Sequence, residues 1–306
     1  MRIAVYCPLL CALLFAAVGP RLAIRYLPPV AGMWTLSLGA GLSALASTWS
    51  LVLLAGTLVD ELLPDVTGQP AASHDPVSDL VALTAVVLLV VTGGRLVSGV
   101  LSRLRMHREL RESCAVSRGP VVVLADPVPR AFAVPGGLRG ERAGPRRDHG
   151  HVVVSQGMLA ALTAAERRVL FAHERAHLRG GHHLHSGMVA AAAALNPLLI
   201  PVRGASVHLC ERSADESAAA EVGDRGLAAS SLARAALAAA AGPCASPALS
   251  YHHSGVGARV VALQRSPARG RPSLVAALLG VAAVAMVADI EATHDFLSLI
   301  LGAVRH

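Results

Sequence analysis

From residue 33 to residue 59 the sequence runs without one charged side chain. A helix crosses the hydrocarbon core of a bilayer in about 20 apolar residues, so this stretch alone is long enough to span. The chain is therefore read as a membrane protein. Composition agrees: 54% of residues are hydrophobic and 15% charged, with mean hydropathy +0.54, whereas soluble domains carry about a quarter charged residues. Three further apolar runs join the first, at residues 3–18, at 80–91 continuing through "TGGRLVSGVL", and at 273–288. The run at 3–18, with Arg2 before it and small residues near its end, also has the form of a secretory signal. The two runs that follow would anchor the chain in either case.

Charge sets the orientation. Every basic residue is arginine, and the formal net charge is +7. Arg21 and Arg25 fall between the first two spans; Arg103, Arg105, Arg108 and Arg111 follow the third; Arg265, Arg269 and Arg271 precede the fourth. The loop between the second and third spans holds Asp60, Glu61, Asp65, Asp75 and Asp79, and Asp289, Glu291 and Asp295 follow the last span. Arginine marks the cytoplasmic side. The expected layout is a multi-pass plasma-membrane protein with both termini outside: an N-terminal membrane domain (1–102) with three spans, a cytoplasmic domain (103–271), and a C-terminal span with a short outer tail (272–306). Because topology accounts for the arginines, and aromatic residues are only 3%, direct nucleic-acid binding by base stacking is not expected. Five cysteines without a C-x-x-C pair argue against a disulfide framework or a cysteine zinc site. Cys7, Cys11 and Cys210 are expected to be packing residues.

The internal segment has mixed structure. "PVVVLADP" predicts a strand at 121–124, "RAFAVPGG" a second ending in a Pro-Gly turn, and "HVVVSQGM" a third, with a polar Arg/Gly loop at 139–150. Thr163 with Glu166 three residues on makes a capping box. The helix it opens continues through "AAERRVLFAHERAHLRG" and stops at Gly180-Gly181. On that helix His173 and His177, four residues apart, share a face and can offer two imidazoles to one metal ion. Glu174 lies beside them, where its carboxylate can take a proton from water. This is the H-E-x-x-H arrangement of zinc peptidases. Zinc needs a third protein ligand. "HLCERSADESAAAEVGD" supplies a candidate in Glu211, with Asp215 four residues on to hold a ligand histidine's other N–H. The alternative for this second motif is a solvated helix face, with Arg212 paired to Asp215 or Glu216. Arg225, His208 and His182 are weak candidates for an oxyanion donor. His182, His183 and His185 are expected to be solvated or interfacial, and His252-His253 to lie in a loop. The strand at 152–154 is expected to offer a free edge for an extended substrate.

The order "AFAVPGG", "VVVSQGML", "AAERRVLFAHERAHL", "ERSADESA" resembles the membrane zinc peptidases with an H-E-x-x-H…E-x-x-x-D pattern. The motif order is similar to the M48 group, and the span layout to the M56 group, to which the BlaR-type antibiotic sensors belong. The resemblance implies a mainly α membrane protein of about four spans with a cytoplasmic α+β zincin domain of the gluzincin type and a small β-sheet. It implies Zn²⁺ held by His173, His177 and Glu211, with Glu174 as general base and Asp215 in support. Arg130 departs from the asparagine that M48 members often carry before "AFA".

Only residues 178–210 separate His177 from Glu211, too few for two spans of about 20 residues each. The apolar run 188–202 is therefore expected to stay on the motif's side as a membrane-associated or re-entrant helix turning at Asn196-Pro197. The function these features imply is a membrane zinc endopeptidase acting on cytoplasmic or membrane-proximal protein, with repressor cleavage in signalling as the M56-like task. The alternatives are an M48-like quality-control protease and a non-catalytic zinc-fold scaffold or receptor. Expected partners are a protein or peptide substrate, a transcriptional repressor among the candidates, the lipid bilayer, and a second copy in a homodimer.

Overall fold

The computed structural model describes residues 4–62, 78–114, 119–136, 150–241, 255–265 and 269–304, with the side chains of 58–62 and 299–304 excepted. Parts of the acidic loop, the Arg/Gly loop and His252-His253 lie outside these residues. Among the described residues four helices are long and apolar enough to cross a membrane, and the chain reads as a multi-pass membrane protein. A short 3₁₀ turn (Ala4–Tyr6) leads into α1 (Cys7–Tyr26). α2 (Pro29–Leu62) and α3 (Asp79–Cys114) follow, and α10 (Pro272–Val304) closes the chain.

These helices outrun the apolar stretches that predict them. Arg21 and Arg25 lie on α1, Arg103 to Arg111 lie on α3, and α3 passes residue 102 without a break. Asp289, Glu291 and Asp295 do not follow the last span as expected; they lie within α10. Polarity limits which residues lipid tolerates. The length of a helix is set by backbone hydrogen bonding, and the helices run on past their polar residues; even Pro20, inside α1, does not end that helix.

Between the spans, β1 (Val121–Leu124), β2 (Ala131–Val134) and β3 (His151–Ser155) form a mixed sheet of order β1-β3-β2. β1 runs parallel to β3, with Val121 opposite Val152, and β2 antiparallel, with Ala131 opposite Val154. β3 is thus the central strand, paired on both sides. The expectation of a free edge at 152–154 is corrected; the edges are β1 and β2. Consecutive valines give β3 two buried faces, as a central strand needs: Val153 packs with Val134 and Cys114, Val154 with Met158 and Leu162. The strand ends at Ser155, whose hydroxyl accepts from Met158 N and caps α4 (Gln156–Ala161). A side chain at Gly157 would collide with the Pro127 carbonyl, so only glycine lets the two segments meet there.

α5 (Ala164–Arg179) begins at the predicted capping box: Thr163 N donates to Glu166 Oε2 at 2.8 Å, and Glu166 N to Thr163 Oγ1 at 3.4 Å. It ends at Gly180, and Gly181, at φ +60°, turns the chain into α6 (His182–Leu195). A 3₁₀ turn (Pro197–Leu199) separates α6 from α7 (Ile200–Val222); α8 (Arg225–Ala240) and α9 (Val256–Leu263) complete the fold. α6 and α7 form a hairpin sunk among the long helices. Its tip is fixed by Asn196 Nδ2 donating to Ser47 Oγ at 2.9 Å, and its upper part by His185 Nδ1 against Ser37 Oγ at 3.1 Å. One apolar cluster joins Phe15 of α1, Met33 and Leu36 of α2, Val189 of α6, Leu209 of α7 and Leu278 of α10. Higher up, α5, α7 and α8 approach through a seam of small residues, Ala172, Ala218, Ala219, Ala228 and Ala229. α7 therefore spans both layers, so that Glu211 is tied to the apolar bundle through Leu209, about 3 Å below it along the helix axis.

Candidate metal centre

α5 and α7 face each other with their polar positions aligned. His173 and His177 rise from consecutive turns of α5, Glu211 and Asp215 from consecutive turns of α7. Nε2 of His173 lies 3.1 Å from Nε2 of His177. Glu211 Oε2 is 3.6 Å from His173 Nε2, and Oε1 is 3.5 Å from His177 Nε2. The three residues can each offer one donor atom, all within 4.8 Å of one another. A tetrahedral zinc ion with ligand distances of about 2.1 Å has donor–donor edges of about 3.4 Å. The two nitrogens and one oxygen thus fit zinc in both type and spacing.

The groups behind the donors fix their orientation. Asp215 Oδ1 lies 3.1 Å from Nδ1 of His173, which turns Nε2 toward the centre. Asp215 is itself held in a fork by Arg259 of α9, Nε to Oδ2 and Nη2 to Oδ1, both at 2.7 Å. Nη1 of the same guanidinium reaches Glu211 Oε2 at 3.0 Å. One buried arginine thus ties the candidate third ligand to the carboxylate that supports the first. On the other side, His182 Nδ1 lies 2.9 Å from His177 Nδ1.

The electrostatics follow from this packing. Burial pushes His173 down, but hydrogen bonds with Asp215 and Glu211 outweigh it and hold the imidazole up at about 10. Burial and the His173 charge push His177 down to about 3, so it stays neutral with a lone pair to offer. Burial alone would raise Glu211, yet the His173 hydrogen bond and the surrounding cations keep it ionised, below the usual carboxylate range. Glu174 is 8% exposed. Burial lifts its carboxyl to about 7, with His173 pulling the other way. The metal-free centre therefore holds a proton on His173, which an arriving cation would displace.

His173, His177, Glu174, Glu211 and Asp215 are all brought to one place. One residue of the cluster, Arg259, escaped sequence reasoning, and another, His182, was named only as a weak candidate for an oxyanion donor. Arg259 sits in "GARVVAL", a short helix with no motif, and reaches the site only because α9 folds back against α7. His182 was expected to be solvated or interfacial; it is buried, as is His185, because α6 turns inward after Gly181 and points both at α5 and α2. His183 is half-buried beside His107. Arg225 is no oxyanion donor. It is spent on Glu216, at 2.6 and 3.0 Å, and on the Ala262, Leu263 and Arg265 carbonyls at the end of α9. That contact also settles Glu216, which pairs with Arg225 rather than Arg212. Cys210 is buried, as expected of a packing residue.

A cavity of about 660 Å³ adjoins the centre, between Trp34 and Met33 of α2, Ala176 and Gly180 of α5, His182, and Ser213 and Ser217 of α7. No curated protein and no solved structure matches the chain. Residues 103–206, about a third of the chain, match the model of Peptidase family M48. The matched segment contains the H-E-x-x-H helix and stops short of Glu211. It supports a metal-dependent peptidase of the membrane type.

Proposed function

We propose that this chain is an integral-membrane zinc endopeptidase that hydrolyses protein substrates at the cytoplasmic face of the plasma membrane. The observation that carries this is the convergence of His173, His177 and Glu211 into one donor set with buried Glu174 alongside. Zinc held by these three residues would supply Lewis acidity, polarising the scissile carbonyl and lowering the pKa of a water to about 7. Glu174 takes the proton of the attacking water and delivers it to the departing amine. A carboxyl lifted by burial toward neutrality suits both transfers. Asp215 keeps the His173 ring in register, and Arg259 keeps Asp215 and Glu211 from drifting apart.

An extended substrate would add to edge strand β2, which packs against α5, and so lie along the helix that carries His173. The arginine pattern supports a cytoplasmic catalytic domain with both termini outside, and the Asn196-Ser47 contact supports a re-entrant α6–α7 hairpin. Labelling of Ser186→Cys and Gly204→Cys from opposite sides of the membrane would sink that topology. Within this reading, cleavage of a transcriptional repressor predicts one defined product in the cytoplasmic proteome of wild type against Glu174→Gln, while a quality-control task predicts many.

The test uses purified full-length protein. Wild type and Glu174→Gln should each hold one zinc ion per chain, with only wild type cleaving an unfolded protein substrate. His173→Ala retaining full zinc would refute the ligand assignment.

A further inference from the structure

The two imidazoles of the candidate centre are backed by different groups. His173 meets a carboxylate, its Nδ1 lying 3.1 Å from Asp215 Oδ1. His177 meets another imidazole. Its Nδ1 lies 2.9 Å from Nδ1 of His182, and the two rings stand nearly perpendicular, at 88°, with centroids 4.7 Å apart. In a hydrogen bond between two imidazole nitrogens one ring donates and the other accepts. The donor set decides which does which. His177 presents Nε2 to His173 and Glu211. A lone pair kept at Nε2 leaves the proton of a neutral imidazole on Nδ1. His177 therefore donates, and His182 accepts with its own proton on Nε2.

His182 is held in place for this contact. It is buried, and it opens α6 directly after the left-handed turn at Gly181. Its ring lies over Gly180: a side chain there would begin 2.6 Å from His182 Nε2 and 2.8 Å from Cδ2, so the ring needs a glycine beneath it. One turn further along α6, His185 lies on the same face and is fixed to α2. Its Nδ1 is 3.1 Å from Ser37 Oγ, and its ring meets Trp34 edge-on at 4.4 Å between centroids. The first turn of α6 is thus seated on the end of α5 and tied to a membrane span. His182 is not itself in the donor set, which consists of His173, His177 and Glu211. It reaches His177 at the nitrogen that the set does not use, and so stands behind the ligand.

We propose that His182 is a positioning residue, which accepts the Nδ1 proton of His177 and holds that ring with Nε2 turned to the metal. A hydrogen bond at the second nitrogen of a ligating histidine fixes both its tautomer and its orientation. Asp215 supplies that bond to His173 as an anion, and His182 supplies it to His177 as a neutral acceptor. The charged acceptor draws harder on its proton, which makes His173 the stronger of the two nitrogen donors. The proposal rests on the ligand assignment made under the proposed function.

The test reads metal binding by the purified full-length protein, through chelator competition for zinc and the visible absorption of the cobalt-loaded form. His182→Leu keeps bulk but removes the acceptor; zinc affinity should fall about tenfold or more, and the cobalt spectrum should change. His182→Asn places a carbonyl oxygen where Nδ1 stood, and should restore most of the affinity and the wild-type spectrum. Gly180→Ala keeps His182 but pushes its ring aside, and should weaken zinc binding as the leucine variant does. Wild-type affinity and spectrum in His182→Leu would overturn the proposal. Equal losses in the leucine and asparagine variants would also overturn it, since the residue would then serve packing alone. Absence of zinc from wild type, or full zinc in His173→Ala, would overturn the ligand assignment and this proposal with it.

Discussion

The layer where α5, α7 and α9 meet and the bundle below it handle buried polar groups in opposite ways. In the upper layer, charged groups answer one another: His173 with Asp215, Asp215 with Arg259, Arg259 with Glu211, and Glu211 with both histidines. In the bundle, polar groups meet singly. Ser50 donates to Asp289 at 3.0 Å, Trp49 to Thr293 at 2.8 Å, and Asn196 to Ser47. Among the described residues Ser43 Oγ and Asp289 Oδ2 are buried with no hydrogen-bond partner. A closed network fixes atoms to a few tenths of an ångström, as a metal centre requires. Isolated bonds between spans fix only which helix faces which. The upper layer should therefore respond to single substitutions far more than the bundle does.

The largest effect should come from Glu174→Gln. Proton transfer by a positioned carboxylate contributes about 10²- to 10⁴-fold to rate, and the amide cannot perform it. Cleavage should fall by that factor while zinc content stays at wild-type level. Asp215→Asn comes next. Loss of the group that orients a metal-ligating histidine typically lowers metal affinity by about 10- to 100-fold. Competition with a chromophoric chelator would measure it, and unchanged affinity would show that the Asp215–His173 contact does not orient the ligand.

These two residues also mark how far sequence carries. His173 and His177 lie on consecutive turns of one helix with Glu174 beside the first, so the face that the two imidazoles share follows from the 3.6-residue period alone. Glu211 and Asp215 are distant in sequence but carry the same spacing, and short-range periodicity exposes them too. Arg259 and His182 have no such signal. Arg259 depends on α9 returning across a long connection, and His182 on the left-handed turn at Gly181 that aims α6 inward. The spans were legible because lipid exposure demands apolar side chains. Their ends were not, because Asp289 can stay inside α10 by bonding Ser50. The central position of β3 was equally hidden, since three short valine-rich strands give no hint of which is flanked on both sides.

A third effect concerns the metal-free protein. Burial raises the Glu174 carboxyl from 4.5 to about 7. The folded chain then keeps a proton that the unfolded chain releases from pH 4.5 upward, so this group's contribution to stability falls between pH 4.5 and 7 and stays low above that. Glu174→Gln abolishes the loss. Its pH-dependent advantage over wild type should be absent below pH 4.5 and reach about 3 kcal/mol above pH 7. Thermal midpoints after chelation, taken across that range, would show it. Parallel pH profiles for the two proteins would mean that Glu174 is not desolvated.

The smallest effect should fall in the bundle, at Ser50→Ala. This change removes the hydroxyl that bonds Asp289 Oδ1 and leaves the packing of α2 on α10 intact. In water-soluble cores, stranding a buried carboxylate is costly, which would argue for a large penalty. Between membrane spans the measured worth of such bonds averages about 0.6 kcal/mol, because the separated helices also find partners. Asp289 already carries one unbonded oxygen, so the fold tolerates incomplete satisfaction there, and the lower figure applies. A midpoint shift of a few degrees or less, with zinc content and cleavage unchanged, is expected. A loss of activity in Ser50→Ala would break the contrast between the two layers, since it would mean that a bond at the far end of α2 is felt through the Ser47–Asn196 and Ser37–His185 contacts at the centre itself.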